Sequence, residues 1–275
     1  MADAILSPHG VKDEECISAS LDLWSGVQVE TAYDGVYWQI YHPDAPMEKS
    51  ANTINFRLAS HDDYTDLQGS FAKITVKIFN DANDAVLPAF VNTDAASCNS
   101  VSFVNNIASS LFTACNVRVN DELLSDSYNM YNFLSYITVL FNFNSDSMKS
   151  HLHLLGFDLD ENVGATADAA DTAADSAQKR RAQLTKLSHE LTLITPIFHP
   201  MFSQQRLLFP LTPLSLEFIK APPALCLHSN AAAPAQTYHI TKMELHMKKV
   251  KVKPSEKLRL ENHLKSSPGD YKHLL

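Results

Sequence analysis

Apolar residues recur at every second position through much of the chain, the spacing of strands with one buried face. This spacing predicts strands at Val36 to Ile40, at INFRLAS (54–60) and at FAKITVKIF (71–79), where Ile74, Val76 and Ile78 share one side and Thr75 and Lys77 the other. CNVRVND (115–121) alternates Val117 and Val119 with Asn116, Arg118 and Asn120. HLHLLGF, LTLITPIF, RLLF and LSLEFIK continue the series from residues 151, 191, 206 and 214, and TYHITKMELHMKKVKVK closes it near Lys253. In that last segment Met243, Leu245 and Met247 have one parity and Val250 and Val252 the other, which predicts a bulge at Lys248-Lys249 or a strand that passes there from one packing surface to another.

Two stretches change to helical spacing. FVNNIASSLF (103–112) puts Phe103, Ile107, Leu111 and Phe112 on a common side. DSYNMYNFLSYITVLFNF (126–143) is apolar around most of its girth, with Asp126 or Ser127 as its cap. Such a helix is buried by its own chain or by a partner. NDELL, between the two, is a polar turn of moderate strength because no glycine follows Asn120-Asp121. The Ala- and Asp-rich stretch up to Lys179-Arg180-Arg181 has no aromatic residue, so residues 160–184 read as a mobile surface loop open to proteolysis at those three basic positions.

Counted from residue 54, the strands number eight, irregularly spaced, with helices inserted in the connections. That pattern suits an all-β, eight-stranded antiparallel jelly-roll sandwich better than an up-and-down barrel with uniform hairpins. The chain then divides into an amino-terminal arm (1–30), a jelly-roll domain (31–253) and a carboxy-terminal segment (254–275).

Composition narrows the function. Forty-five per cent hydrophobic and 19% charged residues describe a globular chain. No apolar run is long enough for a membrane-spanning helix, and the acidic amino terminus lacks the apolar core of a secretory signal, so synthesis in the cytoplasm is expected. A net charge of −9 disfavours nucleic-acid binding by the chain as a whole. Any such contact is left to the basic tail of Lys248, Lys249, Lys251, Lys253, Lys257 and Arg259, which has no interleaved aromatics and reads first as a solvated strand edge. Cys16, Cys98, Cys115 and Cys226 form no CxxC pair and read as free thiols.

Phosphate-binding loops, dinucleotide fingerprints and the GxSxG elbow are all missing, and the chain has only 7 glycines. Among 12 histidines, His151 and His153 have the spacing of two ligands on one strand face, with His189 and His199 able to converge on them. Against a metal site, the downstream glutamate and the flanking glycines of such motifs are lacking. Asp62, Asp63, Asp158, Asp160 and Glu161 lack the glycine and distal glutamate of a calcium loop. No catalytic, cofactor-binding or metal-binding residue is assigned, and the chain reads as a non-enzyme.

LDLW (21–24), YHPDAP (41–46), the segment from Ser100 to Phe143 and RLLFPLTPLSLEFIKAPPALCL (206–227) resemble the amino-terminal half of capsid-like proteins carried by Polinton/Maverick elements and adinto- and adomavirus-type DNA viruses. The resemblance runs from residue 16 to about residue 265, on packing motifs rather than catalytic ones. It implies a major capsid protein of double jelly-roll design, self-associating into a trimeric capsomer with other capsid proteins in a virion. On that reading residues 254–275 are a linker toward a missing second jelly roll. The alternatives are a β-sandwich binding module, such as a viral spike, penton or carbohydrate-binding domain, and a metal-dependent jelly-roll enzyme built on His151 and His153.

Overall fold

The computed structural model describes residues 32–59, 61–79, 101–125, 129–159, 176–228 and 236–266. The amino-terminal arm, the Asp126 and Ser127 caps, residues 160–175, Cys16 and Cys98 lie outside them. In chain order the elements are β1 (Tyr33–Tyr41), β2 (Thr53–Leu58), β3 (Tyr64–Phe79), β4 (Ser102–Phe103), α1 (Ile107–Ser110), β5 (Phe112–Val119), β6 (Glu122–Ser125), α2 (Tyr131–Asn142), α3 (Ser145–Met148), α4 (Ser176–Leu184), β7 (Leu191–Pro196), β8 (Leu214–Lys220), α5 (Pro223–Cys226), β9 (Leu227–His228), β10 (Thr237–Val252) and α6 (Pro254–Ser266). Two four-stranded sheets run β1-β10-β3-β7 and β2-β8-β5-β6, with β4 and β9 as a short separate pair. Every pairing is antiparallel.

The sheets share one core, and period-two alternation puts it there. In β2 Ile54, Phe56 and Leu58 are buried while Thr53, Asn55 and Arg57 are exposed. β8 turns Leu214, Leu216 and Phe218 to the same side, and Phe56 and Phe218 meet edge to face at 6.1 Å. The other sheet contributes Ile74, Val76 and Ile78 from β3 and Met243, Leu245 and Met247 from β10. Each such side chain contributes about 1.5–3 kcal/mol by leaving water.

Several expected elements form differently. Residues 103–112 make only the single turn α1, because Asn106 enters it in the left-handed region (φ 57°) and the chain is already extended at Phe112. The four apolar residues of that stretch are nonetheless all in the core. HLHLLGF is not a strand: His151–Leu155 wind into a 3-10 turn that buries Leu152 and Leu155, three positions apart, against Val139, Met148 and Phe157. Its exit is Gly156 at φ 72°, where an added Cβ would lie 2.7 Å from the Ile107 side chain. RLLF is not a strand either, since Leu208 makes only an isolated bridge to Thr65.

Two strands that the count from residue 54 omitted take their places. One is β1, and the other is β6, whose hairpin with β5 turns through Asn120 and Asp121 at φ 52° and 66°. Positive φ at both central positions is the requirement of the hairpin turn that matches strand twist, and Asn-Asp meets it without glycine.

In β10 the expected bulge at Lys248-Lys249 does not form. Pairing with β1 runs unbroken from Leu245 to Val250, and the irregularity lies in the facing strand, where four residues of β3, 67–70, fall between the partners of His246 and Lys248. β10 therefore keeps its phase, and Lys249 falls on the side of Met247, buried, with its Nζ donating to Thr65 Oγ1 at 2.7 Å.

The expected loop over 160–184 is a helix in its last nine residues. Ala177 and Ala182 are buried, Arg180 donates two hydrogen bonds to Asp158 at 3.1 Å, and Arg181 Nε donates to the Phe103 carbonyl at 3.2 Å. Alanine and guanidinium groups supply the anchoring that absence of aromatics concealed. Residues 254–266, expected as linker, form α6, which begins on Pro254.

Candidate assembly surface

The sequence of α2, YNFLSYITVLFN, has no charged residue. Its inward positions are Tyr131, Ser135 and Val139, four apart on one side. Tyr131 Oη accepts from Phe198 N–H at 3.2 Å. Ser135 Oγ accepts from Asn106 Nδ2 at 3.1 Å and donates to the Asn132 carbonyl at 2.8 Å. Val139 packs with Met148, Leu152, Leu155 and Phe157. The inner side of the helix thus consists of a tyrosine and a serine, both hydrogen-bonded, and a valine in apolar contact.

The outer side is the apolar one. Met130 (58% exposed), Phe133 (58%), Leu134 (51%), Ile137 (48%), Leu140 (41%) and Phe141 (85%) make a continuous stripe at helical spacing. At about 200 Å² for a large side chain, the stripe presents on the order of 600 Å², at the top of the range for the largest patch on a typical monomer.

A second apolar area lies on the free edge of its sheet. Val36, Trp38 and Ile40 of β1 all point to one side and are about half exposed. Trp38 meets Phe71 at 5.1 Å, and Phe71 stacks on His246 at 4.7 Å and 9°. Glu244, beside them, is held below the usual carboxylate range by its hydrogen bond from Lys242 (2.7 Å), with His246 Nε2 at 3.5 Å. Between the ends of the sandwich and residues 199–212 there is also a cavity of about 300 Å³, lined by Leu67, Leu124, Met201, Leu207, Leu208 and Phe209, with Arg206 among its polar residues.

No family model matches the chain, and no curated protein matches it. Among solved structures it is similar to the Faustovirus major capsid protein, with 13% identity and a TM-score of 0.49 over 85% of this chain and 57% of that one. It is also similar to a chain of the Sputnik virophage solved by cryo-EM (13%, TM-score 0.48, 86% and 52%) and to the mavirus major capsid protein (12%, 0.43, 87% and 50%). The chain spans about half the length of the solved structures it matches.

The histidines singled out for metal binding are dispersed in role. His151 lies edge-on to Phe143, and His153 Nδ1 is 3.4 Å from Asp158 Oδ1, a carboxylate already engaged by Arg180. His199 is buried, which lowers its pKa, and its Nδ1 accepts from Met201 N–H. His189 is exposed. Among the described residues no three His, Cys, Asp or Glu side chains gather as a ligand set. Asp63 accepts from the Tyr37 hydroxyl at 2.8 Å, and Asp62 is exposed. Cys115 and Cys226 are buried and stand outside any disulfide among the described residues.

The basic tail is partly neutralised within the chain: Lys248 pairs with Asp66 at 2.8 Å, Lys251 with Asp34 at 3.8 Å and Arg259 with Glu256 at 3.5 Å. No described helix is long and apolar enough to cross a membrane. The cavity stayed hidden because RLLF reads as a strand, whereas LTLITPIF does form β7 as far as Pro196; Pro200, Pro210 and Pro213, on either side of RLLF, were the available signal.

Proposed function

We propose that this chain is a structural, self-assembling subunit of a viral capsid, folded as a jelly roll and without enzymatic activity. Numbering its eight longer strands consecutively turns the two sheets into 1-8-3-6 and 2-7-4-5, and this interleaving supports the jelly-roll reading. The observation that carries the function is the outward stripe of α2. Five large apolar side chains on a helix without charge, with Met130 at its N-cap, are what a subunit presents when a neighbour covers them. The resemblance of residues 100–143 and 206–227 to capsid-like proteins of Polinton-type DNA viruses supports the same reading, and with it a trimeric capsomer in the virion, the amino-terminal place of this jelly roll in a double one, and a linking role for residues 254–275.

Light scattering on the size-fractionated 275-residue chain tests the proposal. Trimers or larger shells that dissociate when Phe133 and Phe141 are made polar support it; a monomer at every concentration would overturn it. A second reading, a sugar-binding β-sandwich, is favoured by one observation, the half-exposed Trp38 beside the Phe71–His246 stack on a sheet face. Retention of a monomeric chain on immobilised glycans, lost in Trp38→Ala, would select it.

A further inference from the structure

Resting on the capsid-subunit reading, we propose that Phe141 of one copy inserts into the cavity walled by Leu67, Leu124, Met201, Leu208 and Phe209 of a second copy, so that subunits join knob into hole. Phe141 is the most exposed large apolar side chain among the described residues and stands in the last turn of α2. The cavity, at about 300 Å³, is at the bottom of the range for ligand pockets and suits one or two bulky side chains rather than a cofactor.

Area and charge both favour a second copy as the occupant. The α2 stripe of roughly 600 Å² approaches the ~800 Å² that each partner gives to a standard stable interface. The carboxy-terminal end of α2 carries the partial negative charge of its free carbonyls, and Asp146 follows in the first turn of α3. Arg206, exposed among the cavity residues, offers the complementary charge. Knob and hole are different residues of one molecule, so the contact is either repeated head to tail, building a ring when its rotation closes, or reciprocated across a two-fold axis. An exposed aromatic seated in a desolvated pocket is also where binding energy concentrates.

The test uses the full chain with a photoreactive benzoylphenylalanine at position 141, irradiated in the assembled state, with adducts mapped by mass spectrometry. Adducts between chains that fall in residues 199–212 are expected. Phe141→Asp should weaken association at least tenfold without moving the melting temperature of the monomer. Arg206→Glu should weaken it several-fold, and Asp146→Arg in the same chain should restore part of the loss. An assembly whose adducts join two α2 helices, or lie outside the cavity walls, or whose charge swap restores nothing, overturns the knob-into-hole contact while leaving the subunit reading intact. A chain that never associates overturns both.

Discussion

β2 and α2 spend the same kinds of residue in opposite directions. In β2 the apolar positions Ile54, Phe56 and Leu58 enter the core and the polar ones face water. In α2 Ser135 is fully buried while Phe133 and Phe141 face outward. Hydrophobic burial explains the first at once. The second is the feature that the proposed assembly accounts for, a neighbour covering the stripe. A buried serine is tolerable because Asn106 and the Asn132 carbonyl satisfy its hydroxyl, whereas six exposed apolar side chains have no such local remedy.

The sharpest way to break this comparison is to cut into both kinds of phenylalanine. Phe218→Ala, in the core against Phe56 and Phe112, should cost about 3–5 kcal/mol in urea unfolding. Loss of less than about 1 kcal/mol would mean that the sheets are not packed as described. Gly156→Ala should cost about 1–3 kcal/mol, because the site needs φ 72° and the new methyl meets Ile107, the residue through which α1 touches the turn under α2. A neutral result there would show that this junction is loose.

Burial pushes the Cys226 thiol up to about 12 and also raises the Cys115 thiol and the Tyr131 and Tyr238 phenols. The folded chain holds these protons more tightly than the unfolded one. Their contribution is complete below the ordinary thiol range and is lost as pH rises through the folded values. The urea midpoint should therefore be flat from about pH 7 to 8 and fall above about pH 9. The outer stripe of α2 has no titratable side chain, so Phe141→Ser should follow the same curve. The smallest expected effect is on the stability of that variant itself, within about 0.5 kcal/mol of the parent monomer.

Strand patterns were legible wherever one face meets the core and the other meets water. INFRLAS, FAKITVKIF, CNVRVND and LSLEFIK all read correctly for that reason. HLHLLGF misled because Leu152 and Leu154 alternate with His151 and His153, whereas Leu152 and Leu155 fit a three-residue period, which burial against α2 selects. The expected set of strands was changed: HLHLLGF and RLLF do not form strands, and β1 and β6 stand in the two four-stranded sheets instead. The docking of α4 was hidden because its anchors are Arg180, Arg181 and two alanines, residues that composition assigns to solvent. Of the candidate surface, the excess apolar girth of residues 126–143 was visible in advance, whereas the cavity was not, since it is made by residues 67, 124 and 199–212 meeting from separate parts of the chain.

The central claim is that α2 is built to be covered by another chain, and light scattering across a concentration series of the parent and the Phe133→Ser, Phe141→Ser double variant tests it most directly. The expected result is a parent mass that is a multiple of 30.5 kDa and a variant that falls to the single-chain mass with an unchanged melting temperature. A parent that stays at the single-chain mass at the highest concentration, or a variant that assembles as well as the parent, would contradict the account.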